Sequence, residues 1–131
     1  MKIFWAIAVG AAAGGLSRFY LTIAMEHRFG TEFPWGTLLI NVTGSLLLGF
    51  LVRYAVATPS MPLELRLMLT TGFCGGYTTF SSYSFETVVL LERSEYGRAA
   101  LYSIGSVVLS LLATFCGFML ARAVLGASVD S

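Results

Sequence analysis

The stretch from Gly72 to Glu86 sets glycines, hydroxyls and rings inside an otherwise apolar segment. Gly72, Gly75 and Gly76 lead into Thr78, Thr79, Ser81, Ser82 and Ser84, with Tyr77, Phe80, Tyr83 and Phe85 between them. Irregular backbone at bilayer depth is tolerated only where protein buries it or where it lines a polar cavity. The stretch therefore reads as a broken helix at a transport site. Unwinding at Gly75-Gly76 would free carbonyls from the helical ladder, and such oxygens can coordinate a hard cation such as sodium. Two copies meeting on an axis would supply a near-tetrahedral cage. Phe80 and Tyr83, three residues apart, share a helix face. The positive edge of an aromatic ring can meet an anion, although a pair at this spacing also serves plain packing.

Other polar groups fall inside apolar segments. Thr37 and Asn41 are four apart and share a face, while Thr43 and Ser45 lie elsewhere around the same helix. Asn41 is either interhelical glue or a pore-lining amide with two N–H donors for an anion. Tyr102, Ser106 and Ser110 recur every four residues and Thr114 continues the series. Serines in membrane helices often bond their own backbone, but a four-residue repeat among leucines favours a polar track. Such a track can hydrogen-bond an ion without titrating. Arg18 is ionisable within a span, a position that is expensive and functional by default, or else its guanidinium snorkels to the interface. Glu86 is the only acid well inside an apolar span, and the first span holds none, which argues against a cation exporter. His27 is the sole histidine, so no Cys/His cluster has zinc-ligand spacing and no catalytic cluster is present. Cys74 and Cys116 read as small buried hydrophobes.

These groups are positioned by membrane helices. The chain has 131 residues, of which 56% are hydrophobic and 11% charged, against roughly 25% charged in average soluble proteins. A span needs about 20 apolar residues, and segments at about 3–25, 35–57, 65–91 and 99–125 qualify. They form a single transmembrane domain over residues 1–131, with the third helix broken. The first segment is expected to be a retained helix rather than a cleaved signal, and the chain after Gly126 to fray. Gly10 and Gly14, at G-x-x-x-G spacing, with Gly15, Gly44, Gly49 and Gly105, let helix backbones approach closely. A formal net charge of +1 offers no basic face for nucleic acid. With both termini on one side, Lys2, Arg53, Arg66 and Arg122 face Arg28, Arg93 and Arg98, a near balance that removes the usual orientation signal. The chain then either inserts both ways, allowing an antiparallel homodimer with a two-fold axis in the membrane plane, or is a monomer oriented by something else.

On the Gly14-to-Arg18 turn, on Trp35-Gly36-Thr37-Leu38 with Asn41 and Gly44, and on Gly72-Phe73-Cys74-Gly75-Gly76 followed by Thr78-Thr79-Phe80-Ser81, the chain resembles the Fluc (CrcB) family of bacterial fluoride channels over nearly its whole length. The resemblance implies an all-α membrane protein of four helices per subunit, the third broken, assembled as an antiparallel dual-topology homodimer in the lipid of the inner membrane. It implies two fluoride pores per dimer, lined by Asn41, Phe80, Ser81, Tyr83, Tyr102, Ser106 and Ser110 with Thr37 and Glu86, and Arg18 at the vestibule. It also implies a structural Na+ on the main-chain carbonyls of Gly75 and Thr78, no organic cofactor, and passive fluoride export rather than enzyme activity. The nearest rival is a small dual-topology multidrug or cation exporter. Tyr83 stands where the family's second pore phenylalanine is usual, Tyr77 where leucine is usual, and Ser82 where threonine is common.

Overall fold

Six α-helical stretches and one π-helical stretch build four crossings in a computed structural model describing residues 1–129, with no strand among the described residues. Helix α1 is Lys2–Phe29 and α2 is Trp35–Val56. The third crossing is assembled from α3 (Leu63–Leu67), a π-helical segment (Met68–Cys74), α4 (Gly75–Tyr77) and α5 (Phe80–Glu92). Helix α6 is Tyr96–Val129. Three of these, α1, α2 and Tyr96–Ala127 of α6, are long and apolar enough to cross a membrane unaided. The chain is accordingly an all-helical membrane protein.

The helix ends follow from local chemistry. The apolar run of α1 stops near Met25, but Glu26, His27 and Arg28 continue the helix to Phe29, beyond the expected end. Gly30 stops it at φ 79°, where a glycine is favoured, and its N–H closes onto the Glu26 carbonyl at 2.8 Å. Pro34 and Pro62 immediately precede α2 and α3, where a missing N–H costs nothing. Thr79 caps α5 by accepting the Ser82 N–H at 3.2 Å. Helix α6 continues through Gly126 to Val129 instead of fraying after it, and residues 130–131 lie outside the described residues.

Small residues set the packing. A Cβ at Gly10 or Gly14 would overlap the carbonyls of Met68 or Phe73, and one at Gly76 would stand 2.6 Å from the Ala11 carbonyl. Helix α1 and the third crossing thus touch backbone to backbone. Gly49 meets the Thr114 carbonyl and Gly117 the Leu46 carbonyl, which seats α2 against α6 in the same way. The expected packing role holds for Gly10, Gly14, Gly44 and Gly49, whereas Gly15 and Gly105, expected to share it, have open space beside them. Phe33 packs edge-on to Tyr102, and Arg53 lies over Phe118, so α2 and α6 run parallel. Gly36 against Thr22 shows α1 running opposite to α2. Lys2, Arg53, Arg66 and Arg122 therefore gather at one end and Arg28, Arg93 and Arg98 at the other. At the second end Arg98 pairs with Glu32 at 3.6 Å and with Glu95 at 3.1 Å.

The interior is thin. Leu90, Ala99 and Tyr102 form the buried cluster, with Phe33, Leu38 and Tyr83 against it. Leu101, Ile104, Leu111 and Phe115 of α6 point outward and exposed, as lipid-facing side chains do. Cys74 is buried as expected, but Cys116 is exposed on α6, since the outer face of a membrane helix is as apolar as its core; both thiols are free.

Candidate functional site

The third crossing does not unwind at Gly75-Gly76, as the glycine pair suggests. Both glycines have helical placement, and the extended residues are Thr78 (φ −80°, ψ 156°) and Thr79 (φ −151°, ψ 112°). Gly76 is small because it lies against Ala11, not because it bends. The break is held by a side chain from another helix. Asn41 of α2 forms a cyclic pair with the Thr79 peptide: its Nδ2 donates to the Thr79 carbonyl at 3.1 Å, and its Oδ1 accepts the Thr79 N–H at 2.8 Å. A half-buried amide matching both halves of one peptide fixes that peptide's orientation.

The clasp redirects the helical donors. In an unbroken helix the Thr79 N–H would close onto Gly75 and the Ser82 N–H onto Thr78. Here Thr79 N–H goes to Asn41 and Ser82 N–H to the Thr79 hydroxyl. The carbonyls of Gly75 and Thr78 thereby lose their usual i+4 partners. The Gly76 carbonyl accepts instead from Arg18 Nε at 3.2 Å, so the half-buried Arg18 satisfies an oxygen that the break would leave orphaned. Among the described residues no group of three or more His, Cys, Asp or Glu side chains converges, so any metal here would rest on main-chain oxygens.

Two grooves meet at Thr79. One is lined by Asn41, Ser45, Thr78, Thr79, Phe80, Tyr83, Ser106 and Ser110, with Gly44, Leu48 and Val107. Its donors are neutral. The Ser106 hydroxyl is buried there and has no hydrogen-bond partner. The Tyr83 phenol donates to the Ser103 carbonyl at 3.0 Å, and its ring lies 5.5 Å from Phe80. Phe80 itself stands 77% exposed at the groove's edge.

The second groove holds Arg18, Thr22, Thr37, Thr79, Ser82 and Glu86. The Glu86 carboxylate is bracketed by two hydroxyls: Thr37 Oγ1 donates to Oε1 at 2.8 Å and the Tyr102 phenol to Oε2 at 2.6 Å. Charge-assisted bonds of this kind hold a carboxylate firmly.

The expected site residues thus divide. Asn41, Phe80, Tyr83, Ser106, Ser110 and Thr78 share the first groove, and Arg18, Thr37 and Glu86 the second. Tyr102 is fully buried behind Glu86, and Ser81 is exposed beside the Thr79 hydroxyl at 3.2 Å, so neither lines a groove. The hydroxyl stripe of α6 is not uniform. Thr114 bonds the carbonyls of Ser110 at 3.0 Å and Ser45 at 3.4 Å, a backbone and interhelical role. Sequence reasoning passed over Thr79, the residue common to both grooves. Its signal was the three-residue step from Thr79 to Ser82, the spacing of a helix N-cap. Tyr77, stacked on Phe73 and bonded through its phenol to Thr43 at 2.8 Å, was likewise unforeseen as a strap between α4 and α2.

The family described as CrcB-like protein, Camphor Resistance (CrcB), matches residues 5–118. A fluoride-specific ion channel FluC of Nitrobacter winogradskyi is 46% identical over 119 residues, covering 91% of this chain and 94% of that one. The protein of the same name from Geobacter sulfurreducens is 46% identical over 122 residues, covering 93% and 98%. A third, from a Synechococcus species, is 38% identical over 93% of this chain and 94% of its own.

Proposed function

The chain belongs to the CrcB family of fluoride ion channels, which are not enzymes, and from that membership we propose that it conducts fluoride passively out of the cytoplasm across the bacterial inner membrane. The observation that carries this reading is the buried Ser106 hydroxyl without a partner, set among the Asn41 amide, Ser110 and the rings of Phe80 and Tyr83. Buried polar groups are almost always satisfied, so an orphaned donor in a groove of neutral donors is one that a permeating anion would complete. Asn41 uses one N–H on Thr79 and retains a second. Fluoride is small and strongly hydrated. Neutral donors and ring edges can replace its water shell in steps while binding weakly enough to release it. Arg18 would raise the local anion concentration in the second groove, next to Thr37, Ser82 and Glu86.

We read the conducting unit as an antiparallel homodimer with two pores. The exposed Phe80 ring and an open groove suit closure by a second copy, and the near balance of Lys and Arg between the two ends suits insertion both ways. The displaced donors at the break fit a sodium ion on the Gly75 and Thr78 carbonyls of each copy. Bound there, the ion would supply fixed positive charge between the pores and hold the two breaks together.

The test is fluoride efflux from proteoliposomes, with chloride as the control. Rapid fluoride release with chloride retained is expected, and vesicles that stay fluoride-tight would overturn the reading. Stripping sodium with a cryptand should slow efflux, and restoring sodium but not potassium should recover it. Undiminished flux after complete sodium removal would exclude the structural-ion role.

A further inference from the structure

At the end of the bundle where α2 and α6 finish side by side, a cleft outside both grooves is lined by Arg53, Val56, Phe118, Arg122 and Leu125. We propose that it binds an anionic phospholipid, its phosphate between the two guanidinium groups and an acyl chain along the apolar walls.

The charges support this occupant. Among the described residues the ion pairs involve Arg98 at the far end, so neither Arg53 nor Arg122 is neutralised by an acid. Glu64 is the one acid at this end among the described residues, and it faces a different groove beside Lys2 and Met68. The carbonyl end of α2 contributes roughly half a negative charge, which two full guanidinium charges outweigh. Arg53 is also held in place, its Cζ lying 4.5 Å from the centroid of the Phe118 ring. A ring-anchored guanidinium loses less freedom on binding and keeps its planar fork for phosphate oxygens.

The walls decide between a lipid and a free anion. Val56, Phe118 and Leu125 supply apolar surface beside the phosphate position. A soluble phosphate would gain nothing from that surface, whereas a lipid tail does. The site also lies at the correct depth. Arg53 is in the last turn of α2, where an apolar helix reaches the headgroup layer, and basic pockets between helices at that level suit anionic headgroups.

The full-length protein in mild detergent would be given equal amounts of phosphatidylglycerol and phosphatidylcholine, and bound lipid counted by native mass spectrometry. Preferential retention of phosphatidylglycerol is expected. Arg53→Gln/Arg122→Gln should lower that retention about twenty-five-fold, about fivefold per arginine, and leave phosphatidylcholine unchanged. If the double variant does not purify folded, Arg122→Gln alone should give about a fivefold drop. Equal retention of the two lipids by the parent, or no change in the variants, would overturn the proposal. Displacement of phosphatidylglycerol by millimolar inorganic phosphate would overturn it too, marking a site for free anions.

Discussion

Asn41 both holds the Thr79 peptide and lines the first groove, and one substitution disturbs both. Its amide orients the Thr79 peptide through a donor and an acceptor, and the residue lines the groove of neutral donors. Asn41→Asp keeps the acceptor for the Thr79 N–H but sets a negative charge against the Thr79 carbonyl and any passing anion. Fluoride efflux should fall to near background, and efflux equal to the parent would remove Asn41 from the pore. Tyr83 permits the opposite experiment. Its phenol is turned onto the Ser103 carbonyl, so only the ring faces Phe80. Tyr83→Phe should retain efflux and lower thermal stability by about 0.6 kcal/mol, the usual size of a hydroxyl bond between membrane helices. A collapse in transport without loss of folding would give the phenol a role of its own.

At the scale of elements, the broken third crossing depends on Thr79, which caps α5 and receives the clasp from α2. Thr79→Val removes the cap while preserving shape, so stability should drop by about 1 kcal/mol, read as an earlier unfolding midpoint. An unchanged midpoint would show that Asn41 alone holds the break. Hydropathy made α1, α2 and α6 legible as membrane helices, because apolar length is nearly all that lipid demands of a helix. The position of the break was less so. Glycine signals both a bend and a close approach, and Gly76 serves the second against Ala11. The actual break at Thr78 and Thr79 is imposed from α2, by a residue 38 positions earlier in the chain. The division of the site residues into two grooves was also unreadable, since helical spacing shows which residues share a face but not which face meets which. The Glu86 bracket shows the same limit. Thr37, Tyr102 and Glu86 come from three helices, and nothing in their spacing pairs them.

For the whole molecule, a small buried cluster sits inside a surface rich in exposed apolar side chains. In a bilayer, lipid would cover much of it and a second copy the rest. Antiparallel insertion has a direct readout. A single cysteine at Ser94, in a chain with Cys74→Ala and Cys116→Ala, should react with a membrane-impermeant maleimide in about half of the copies in sealed vesicles. Labelling of all copies or of none would establish one orientation and exclude the antiparallel pair. The π-helical segment Met68–Cys74 has a consequence of its own. Such a segment accommodates an extra residue within an α-helical path. Deleting Thr71 should let it relax to ordinary α-helical winding with the downstream phase kept, since the residue removed is the one that the wider turn absorbs. The clasp and both grooves therefore keep their phase relative to α1 because one wide turn takes up that residue. A one-residue deletion in this segment should therefore be tolerated better than one inside α2 or α6, which have no wide turn to take it up and would be rotated by about 100° downstream of the gap.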